Sequence, residues 1–286
     1  MLLTIFTPTY NREYLLPRLY SSLLNQTCMD FCWLIVDDGS TDHTRELVEQ
    51  WRQDEKIEIE YLYQPNGGKM RAHNTGVKHA HTDLFLCVDS DDYLAKTAVS
   101  VIIENWKREK GHTLAGIIAH KGKSETEILS ETEFPIHGYS TLYALYLRGF
   151  KGETTLIYRT DLLKKNLFPE IEGEKYVPED YIYDKIDRDY KLLVLPDILT
   201  ICEIVEEGYT ANVRKLREEN PRAWYLYYKQ RAEITPLSIL KFKYVSYYIV
   251  YSRVVSEKIF KDTELSLLQI FLGMPGALIL RLLNKR

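Results

Sequence analysis

Apolar and polar positions fall into blocks along the first part of the chain. Residues 2–7 form a short apolar run ended by Pro8, residues 31–36 a second and residues 84–88 a third. Residues 58–63 instead alternate apolar and polar with period two. Runs of this length, bounded by polar or turn residues, predict four strands. Between the first two, Leu15, Leu16, Leu19 and Leu23 recur at helical spacing and predict a helix over residues 13–24. Residues 44–51 and 71–79 supply the next two helices. Short buried strands separated by helices indicate βαβ units. The predicted fold class is therefore α/β, with a Rossmann-like, mainly parallel sheet flanked by helices.

The regularity weakens between residues 111 and 150, where residues 125–133 read as a polar loop or short helix. Strand patterns return at 155–158 and 192–195, and a helical one at 179–187. Beyond Ala211 the pattern is almost wholly helical and rich in Tyr, which predicts a C-terminal helical extension. There is no internal repeat and no low-complexity tract.

At 286 residues the chain is long enough for one large α/β domain plus an appendage. Its 45% apolar and 27% charged content excludes wholesale disorder. The net charge of −4 divides unevenly: from Ala211 to Arg286 fourteen Lys and Arg face six Asp and Glu, and elsewhere twenty-three face thirty-five. An acidic body with a basic, aromatic tail fits an anionic surface and no nucleic acid, the competing reading being a solvated helical face. Cys28, Cys32, Cys87 and Cys202 lie among apolar runs without the partners of a zinc site, so they are expected to be buried thiols in a reducing compartment. The first six residues lack a basic leader and read as a strand, which predicts a cytoplasmic protein.

Parallel sheets bind ligands at the carboxyl ends of their strands, and the loops expected there carry the unusual chemistry. After the second strand comes Asp37-Asp38-Gly39-Ser40-Thr41-Asp42. Adjacent acids at a strand end are costly unless they meet donors or cations. A carboxylate here can accept a uracil N–H or a ribose hydroxyl, and Ser40, Thr41 or Asp42 can cap the following helix. After the fourth strand comes Asp89-Ser90-Asp91-Asp92, three acids that need a counter-ion. A divalent metal bridging to a ligand's phosphates supplies one. Between them, Gly67 and Gly68 permit close backbone approach, and Lys69 and Arg71 offer positive charge to a diphosphate. The glycine spacing is not that of a P-loop. Together these loops suit a nucleoside diphosphate held with a metal.

Thr7-Pro8-Thr9-Tyr10-Asn11-Arg12, the 37–42 loop, Asn66-Gly67-Gly68-Lys69 with Asn74-Thr75-Gly76, and the 89–92 loop resemble the family 2 glycosyltransferases of GT-A fold. The resemblance is dense over residues 1–95 and looser to about Asn212. It implies a donor half over 1–95, an acceptor half over 96–212 and a separate helical region over 213–286. It also implies single-displacement, inverting transfer with Mn²⁺ or Mg²⁺. By resemblance Asp38 contacts the uracil of a UDP-sugar, beside Asp37, Pro8 and Tyr10. Arg12, Gly68, Lys69, Arg71, Asn74, Asp89 and Ser90 fall in the donor-binding segments. Asp89, Asp91 and Asp92 fall in the metal-binding motif, with Asp91 the direct ligand.

Inverting transfer needs a general base for the acceptor hydroxyl. In similar proteins that acid opens a later helix, and Tyr176-Val177-Pro178-Glu179-Asp180 fits the position, leaving Asp180 or Glu179 as the base. The competing reading is plain helix-dipole complementarity, which would also lower an acid's pKa. Glu153, Glu172 and Glu174 are further carboxylates of this half, and 208–212 resembles the segment closing the domain. In the tail, residues 239–255 mix Tyr, Val and Ile with Lys241, Lys243 and Arg253, and residues 265–283 are mostly apolar but broken by Gln269, Pro275 and Arg281. A spanning helix needs roughly 20 apolar residues, so helices lying on the inner membrane surface are expected. The alternative is packing on the catalytic domain or on a second subunit of a homo-oligomer. A lipid surface would suit a lipid-linked saccharide acceptor in surface-polysaccharide assembly. The competing functions are a nucleotidyltransferase making a nucleotide-sugar, a non-catalytic nucleotide-sugar binder, and a membrane scaffold.

Overall fold

A computed structural model of the chain describes residues 1–109, 113–202, 213–259 and 263–283. The chain forms two compact units, Met1–Phe168 with Ile182–Glu206, and Pro169–Tyr181 with Glu207–Arg286. In chain order the first elements are β1 (Leu3–Thr9), α1 (Leu16–Leu24), β2 (Phe31–Asp37), α2 (Thr44–Gln53), β3 (Ile59–Tyr63), α3 (Lys69–His79) and β4 (Leu84–Cys87). Then follow β5 (Asp92–Leu94), α4 (Ala98–Arg108), β6 (Leu114–Gly122), β7 (Gly138–Ser140), α5 (Leu142–Leu147), β8 (Thr154–Arg159), α6 (Thr160–Lys165), α7 (Asp180–Ile186) and β9 (Lys191–Cys202). The described helices of the C-terminal region are α8 (Val213–Glu219), α9 (Pro221–Ile234), α10 (Ile239–Val254) and α11 (Leu267–Leu283).

The nine strands of the described residues join one sheet in the order β3-β2-β1-β4-β8-β6-β9-β5, with β7 on β9. The β3-β2-β1-β4 portion is parallel throughout, as the βαβ pattern requires. Every residue of β1 and β2 is buried, because helices cover both faces. From β8 onward the pairing is mixed, antiparallel except between β6 and β9. Helix α1 turns Leu16, Leu19 and Leu23 inward, and Tyr20, Trp33 and Trp51 stack beside them.

Strand β1 continues past Pro8 to Thr9, two residues beyond its sequence boundary. The Phe6 carbonyl accepts from Val88 N and the Thr9 carbonyl from Asp38 N, so successive residues face β4 and β2 alternately. The missing N–H of Pro8 points to the side where β4 has already ended. Strand β6 lies in the segment read as irregular. Gly116, His120 and Lys121 interrupt its apolar run, yet eight of its nine residues are buried. At Gly116 (φ 154°) a Cβ would run into the Ile157 carbonyl oxygen, so the close β6–β8 approach demands glycine. His120 stacks on Phe134 at 3.8 Å.

In the second unit, Pro221 opens α9 and the Glu174 carboxylate accepts from Arg222 N and Ala223 N, both at 2.8 Å. Glu174 is therefore a helix cap. No disulfide joins the four cysteines; Cys32 is buried as expected, whereas Cys28, Cys87 and Cys202 are half-buried. Among the described residues no helix is long and apolar enough to cross a membrane.

Candidate active site

The loops after β1, β2, β3 and β4 leave the carboxyl edge of the parallel strands and are laced together there. Asn11, in the left-handed region at φ 53°, accepts from Thr41 N at 2.7 Å, while its own N–H donates to Ser40 Oγ at 2.9 Å. The Asp42 carboxylate accepts from Glu13 N and from Thr44 N, the first residue of α2. The N-cap position itself falls on His43, which makes no side-chain cap bond, rather than on Ser40, Thr41 or Asp42 as expected. Burial pushes the Asp42 carboxyl up, but the bonds from Thr44 and Glu13 outweigh it and hold it below the usual range. Pro8 is buried within β1, whereas Tyr10 is 48% exposed and Arg12 donates to the Tyr14 hydroxyl at 2.9 Å.

The two acids ending β2 have different partners. Asp37 accepts from Ser40 N at 2.7 Å and from the Tyr61 hydroxyl at 2.6 Å. Asp38 is 4% exposed and accepts four bonds. One oxygen takes Gln64 Nε2 (2.6 Å) and Gly67 N (2.9 Å), the other Asn66 Nδ2 (3.1 Å) and Gly68 N (2.7 Å). A carboxylate has about four lone-pair sites, so the acid expected at the uracil spends them on the 64–68 loop. Gly39 (φ 88°) lies so close beneath that loop that a Cβ would stand 2.8 Å from Asn66 N. Gly68 (φ 93°) turns the chain into α3.

The acid loop after β4 is neutralised in part by lysines. Lys69, the first residue of α3, places Nζ 2.7 and 2.8 Å from the two Asp89 oxygens. Burial raises the Asp89 carboxyl, but the ammonium groups of Lys69 and Lys121 bring it below its ordinary value. Asp92, expected among the metal ligands, lies in β5 with its carboxylate 3.0 Å from Lys121 Nζ. Burial pushes it up to about 6, with Lys121 opposing and Asp89 adding to the rise. Lys121 also reaches Glu153 at 3.3 Å. Burial pulls the Lys121 ammonium down, but Asp92 and its neighbours hold it well above its ordinary value. Two of the three acids thus take their counter-charge from lysine, a pairing unreadable in sequence because Lys121 lies 29 residues away on β6. Ser90 is buried, and half-buried Asp91 pairs with no described residue. No described group of three or more His, Cys, Asp or Glu is arranged to hold a metal by itself.

Asn74, expected in donor binding, is 1% exposed and clamps the Phe168 backbone from both sides, donating to its carbonyl and accepting from its N–H at 2.9 Å each. One residue earlier, His73 lies among Phe6, Phe85 and Phe168 at 5.1 to 5.7 Å, with no described partner for either ring nitrogen. Burial, aided by Lys69, lowers its pKa to about 3. Between pH 6.5 and about 3 the unfolded chain therefore binds a proton that the folded chain does not. That component of stability is intact above pH 6.5 and falls by about 1.4 kcal/mol per pH unit as acid is added. His73→Leu should flatten urea-midpoint curves over this window by one proton, and an unchanged slope would refute the assignment.

In the second unit Asp180 opens α7 and its Oδ2 lies 2.7 Å from Arg231 Nη2. Burial pushes the Asp180 carboxyl up, Arg231 opposes and Glu179 adds to the rise. The direction is opposite to that expected of an acid at a helix N-terminus. Glu179 is exposed. Arg231, 51 residues distant, was invisible to sequence spacing. The 208–212 segment lies outside the described residues.

A parallel β3-β2-β1-β4 edge with acidic and glycine loops at its carboxyl ends, continued by antiparallel strands, defines a GT-A fold. The chain belongs to glycosyl transferase family 2, whose description matches residues 4–167. It is 35% identical over 241 residues to the uncharacterized glycosyltransferase EpsJ of Bacillus subtilis (strain 168), covering 74% of this chain and 69% of EpsJ. It is 32% identical over 184 residues to the poly(ribitol-phosphate) beta-N-acetylglucosaminyltransferase TarS of Staphylococcus aureus (strain MW2), covering 59% of this chain but 30% of TarS. The chain thus spans less than a third of TarS. The structure of TarS 1–349 in complex with UDP-GlcNAc matches with a TM-score of 0.66 at 21% identity, over 96% of this chain and 80% of that one. The mannosyltransferase PcManGT from Pyrobaculum calidifontis, in complex with GDP-Man and Mn²⁺, matches at 0.58 and 18% identity, over 97% and 79%. These two structural likenesses bear on the fold alone.

Proposed function

We propose that this chain is an inverting glycosyltransferase that moves a sugar from a UDP-sugar to an acceptor hydroxyl. The observation that carries the reading is the set at one sheet edge: the Asp38-held glycine loop, the Lys69–Asp89 pair and Asp91, which has no partner among the described residues. TarS, 32% identical to this chain over 184 residues, has been crystallised in complex with UDP-GlcNAc, and that supports uridine as the base. The nucleoside end is assigned to Asp37, Pro8 and Tyr10, the shape of the glycine loop to Asp38, and the cationic charge for the diphosphate to Lys69 and Arg71. Residues 1–95 form the donor half and 96–212 the acceptor half, followed by the helical region 213–286.

The donor set fits a hard divalent cation such as Mn²⁺ or Mg²⁺, with oxygens from Asp91 and Asp89 and the remainder from diphosphate and water. The cation supplies Lewis-acid stabilisation of the leaving diphosphate. Asp180 is the residue proposed as base, with Glu179 the alternative: the Asp180 carboxylate stands at the start of α7, its side chain 41% exposed and within 2.7 Å of Arg231. Arg231 orients Asp180. As the base removes the hydroxyl proton, the acceptor oxygen bonds to the anomeric carbon and the bond to the diphosphate oxygen breaks, its electrons leaving with the nucleoside diphosphate. The acceptor proposed is a lipid-linked saccharide used in surface-polysaccharide assembly at the inner face of the membrane.

Thermal-shift screening of UDP-, GDP- and dTDP-sugars with Mn²⁺ tests the donor. Ligand binding to the folded state raises the midpoint by mass action. A UDP-sugar should give the largest shift, chelation with EDTA should abolish most of it, and fresh Mn²⁺ should restore it. A shift equal with and without metal would remove the cation from the reading, and no shift with any donor would remove the donor site.

A further inference from the structure

Helix α11 is built inside out. Its buried positions are Ile270, Gly273 and Ala277, and they pack on α10. A Cβ on Gly273 would press into Val245, and one on Gly276 into Ser246. The Ser246 hydroxyl donates to the Gly273 carbonyl at 2.9 Å across this contact. Apart from Ile270, small residues thus face the partner helix while the large ones face away. Leu268, Phe271, Leu278 and Leu282 are each more than 60% exposed, and Leu272 and Ile279 lie beside them. Placed on a helical wheel, about 160° of the circumference from Leu267 round to Leu283 carries no polar residue. Gln269 and Arg281 stand at its two margins.

A surface helix in water shows the reverse arrangement, with large apolar groups inward and polar groups outward. Soluble proteins rarely leave so continuous an apolar face open. Small residues at the helix contact and large aliphatics outside are the pattern of helices solvated by lipid. At 17 residues α11 is roughly 25 Å long, short of the roughly 30 Å hydrocarbon core, so it fits the plane of the interface. Charge favours an anionic surface. The 211–286 stretch carries fourteen Lys and Arg against six Asp and Glu, and Lys243, Arg253 and Arg281 are exposed on α10 and α11.

We infer that the outward face of α11 docks on an anionic lipid bilayer, inserting Phe271, Leu278 and their neighbours into the interface while the basic residues meet lipid headgroups. This deepens the proposed use of a lipid-borne acceptor but rests on the helix geometry, and its readout involves no sugar transfer. The whole chain is sedimented with sucrose-loaded vesicles, either phosphatidylcholine alone or phosphatidylcholine with phosphatidylglycerol. It should follow the anionic vesicles strongly and the neutral ones weakly. Phe271→Glu with Leu278→Glu should lower partitioning on the order of a hundredfold, because two large apolar groups no longer enter lipid. Both side chains are exposed, so circular dichroism and the UDP-sugar thermal shift should stay unchanged. Three results would overturn the inference. The unmodified chain could stay in the supernatant with both vesicles, or the double variant could bind as well as its parent. Velocity sedimentation without lipid could also show a dimer that the double variant dissociates, making this face a subunit contact.

Discussion

Asp38→Ala is expected to lose about 3–5 kcal/mol of stability and, with it, measurable donor binding. Its carboxylate accepts from two side-chain amides and from the backbone of Gly67 and Gly68, and alanine leaves these donors facing nothing. Asp38→Asn should rescue little. All four partners are donors, and an amide offers one accepting oxygen while turning its own N–H groups toward the remainder. The damage should be local in origin. The 64–68 loop carries the chain from β3 into Lys69, and Gly39 packs directly beneath it. Urea midpoints read the first effect, and titration with a UDP-sugar reads the second. If Asp38→Ala kept the parental midpoint and bound donor normally, the loop would be held by something other than this carboxylate.

Asp91→Ala should do the opposite, lowering turnover on the order of a thousandfold while leaving the fold intact. Asp91 is half-buried and has no described hydrogen bond or ion pair to lose, so its removal orphans no partner among the described residues. Its neighbour provides the contrast. Asp92→Asn removes the nearer of the two carboxylates paired with Lys121, whose side chain is 17% exposed, and should appear first as a lowered melting temperature. Release of nucleoside diphosphate, measured beside thermal unfolding, separates the two. Full turnover by a folded Asp91→Ala variant would end the metal assignment.

Much of this was legible in the amino-acid order. The apolar runs at 2–7, 31–36 and 84–88 have no period-two polar face, and only a strand covered on both sides reads that way. From those runs came the parallel edge and the four loops that leave it, and with them Asp38, Lys69, Asp89 and Asp91. The resemblance to family 2 glycosyltransferases rested on the same short segments. Strand β6 escaped because glycine, histidine and lysine interrupt it. The reasons they are tolerated are the Ile157 carbonyl, the Phe134 ring and the Asp92 carboxylate, none of which is near in sequence.

Fold class, the position of the acidic and glycine loops, and the helical tail with its charge can all be read from residue order. Those properties depend on local periodicity and on which residue types a turn admits. The role of each acid emerges only in the folded chain. Asp38 became the anchor of a loop, Asp92 the partner of a buried lysine, Glu174 a helix cap and Asp180 the partner of Arg231. A carboxylate carries the same charge in every one of these settings. Its role follows from the donor or cation that folding brings within about 3 Å, and such partners are set by the crossing of distant strands and helices rather than by spacing along the chain.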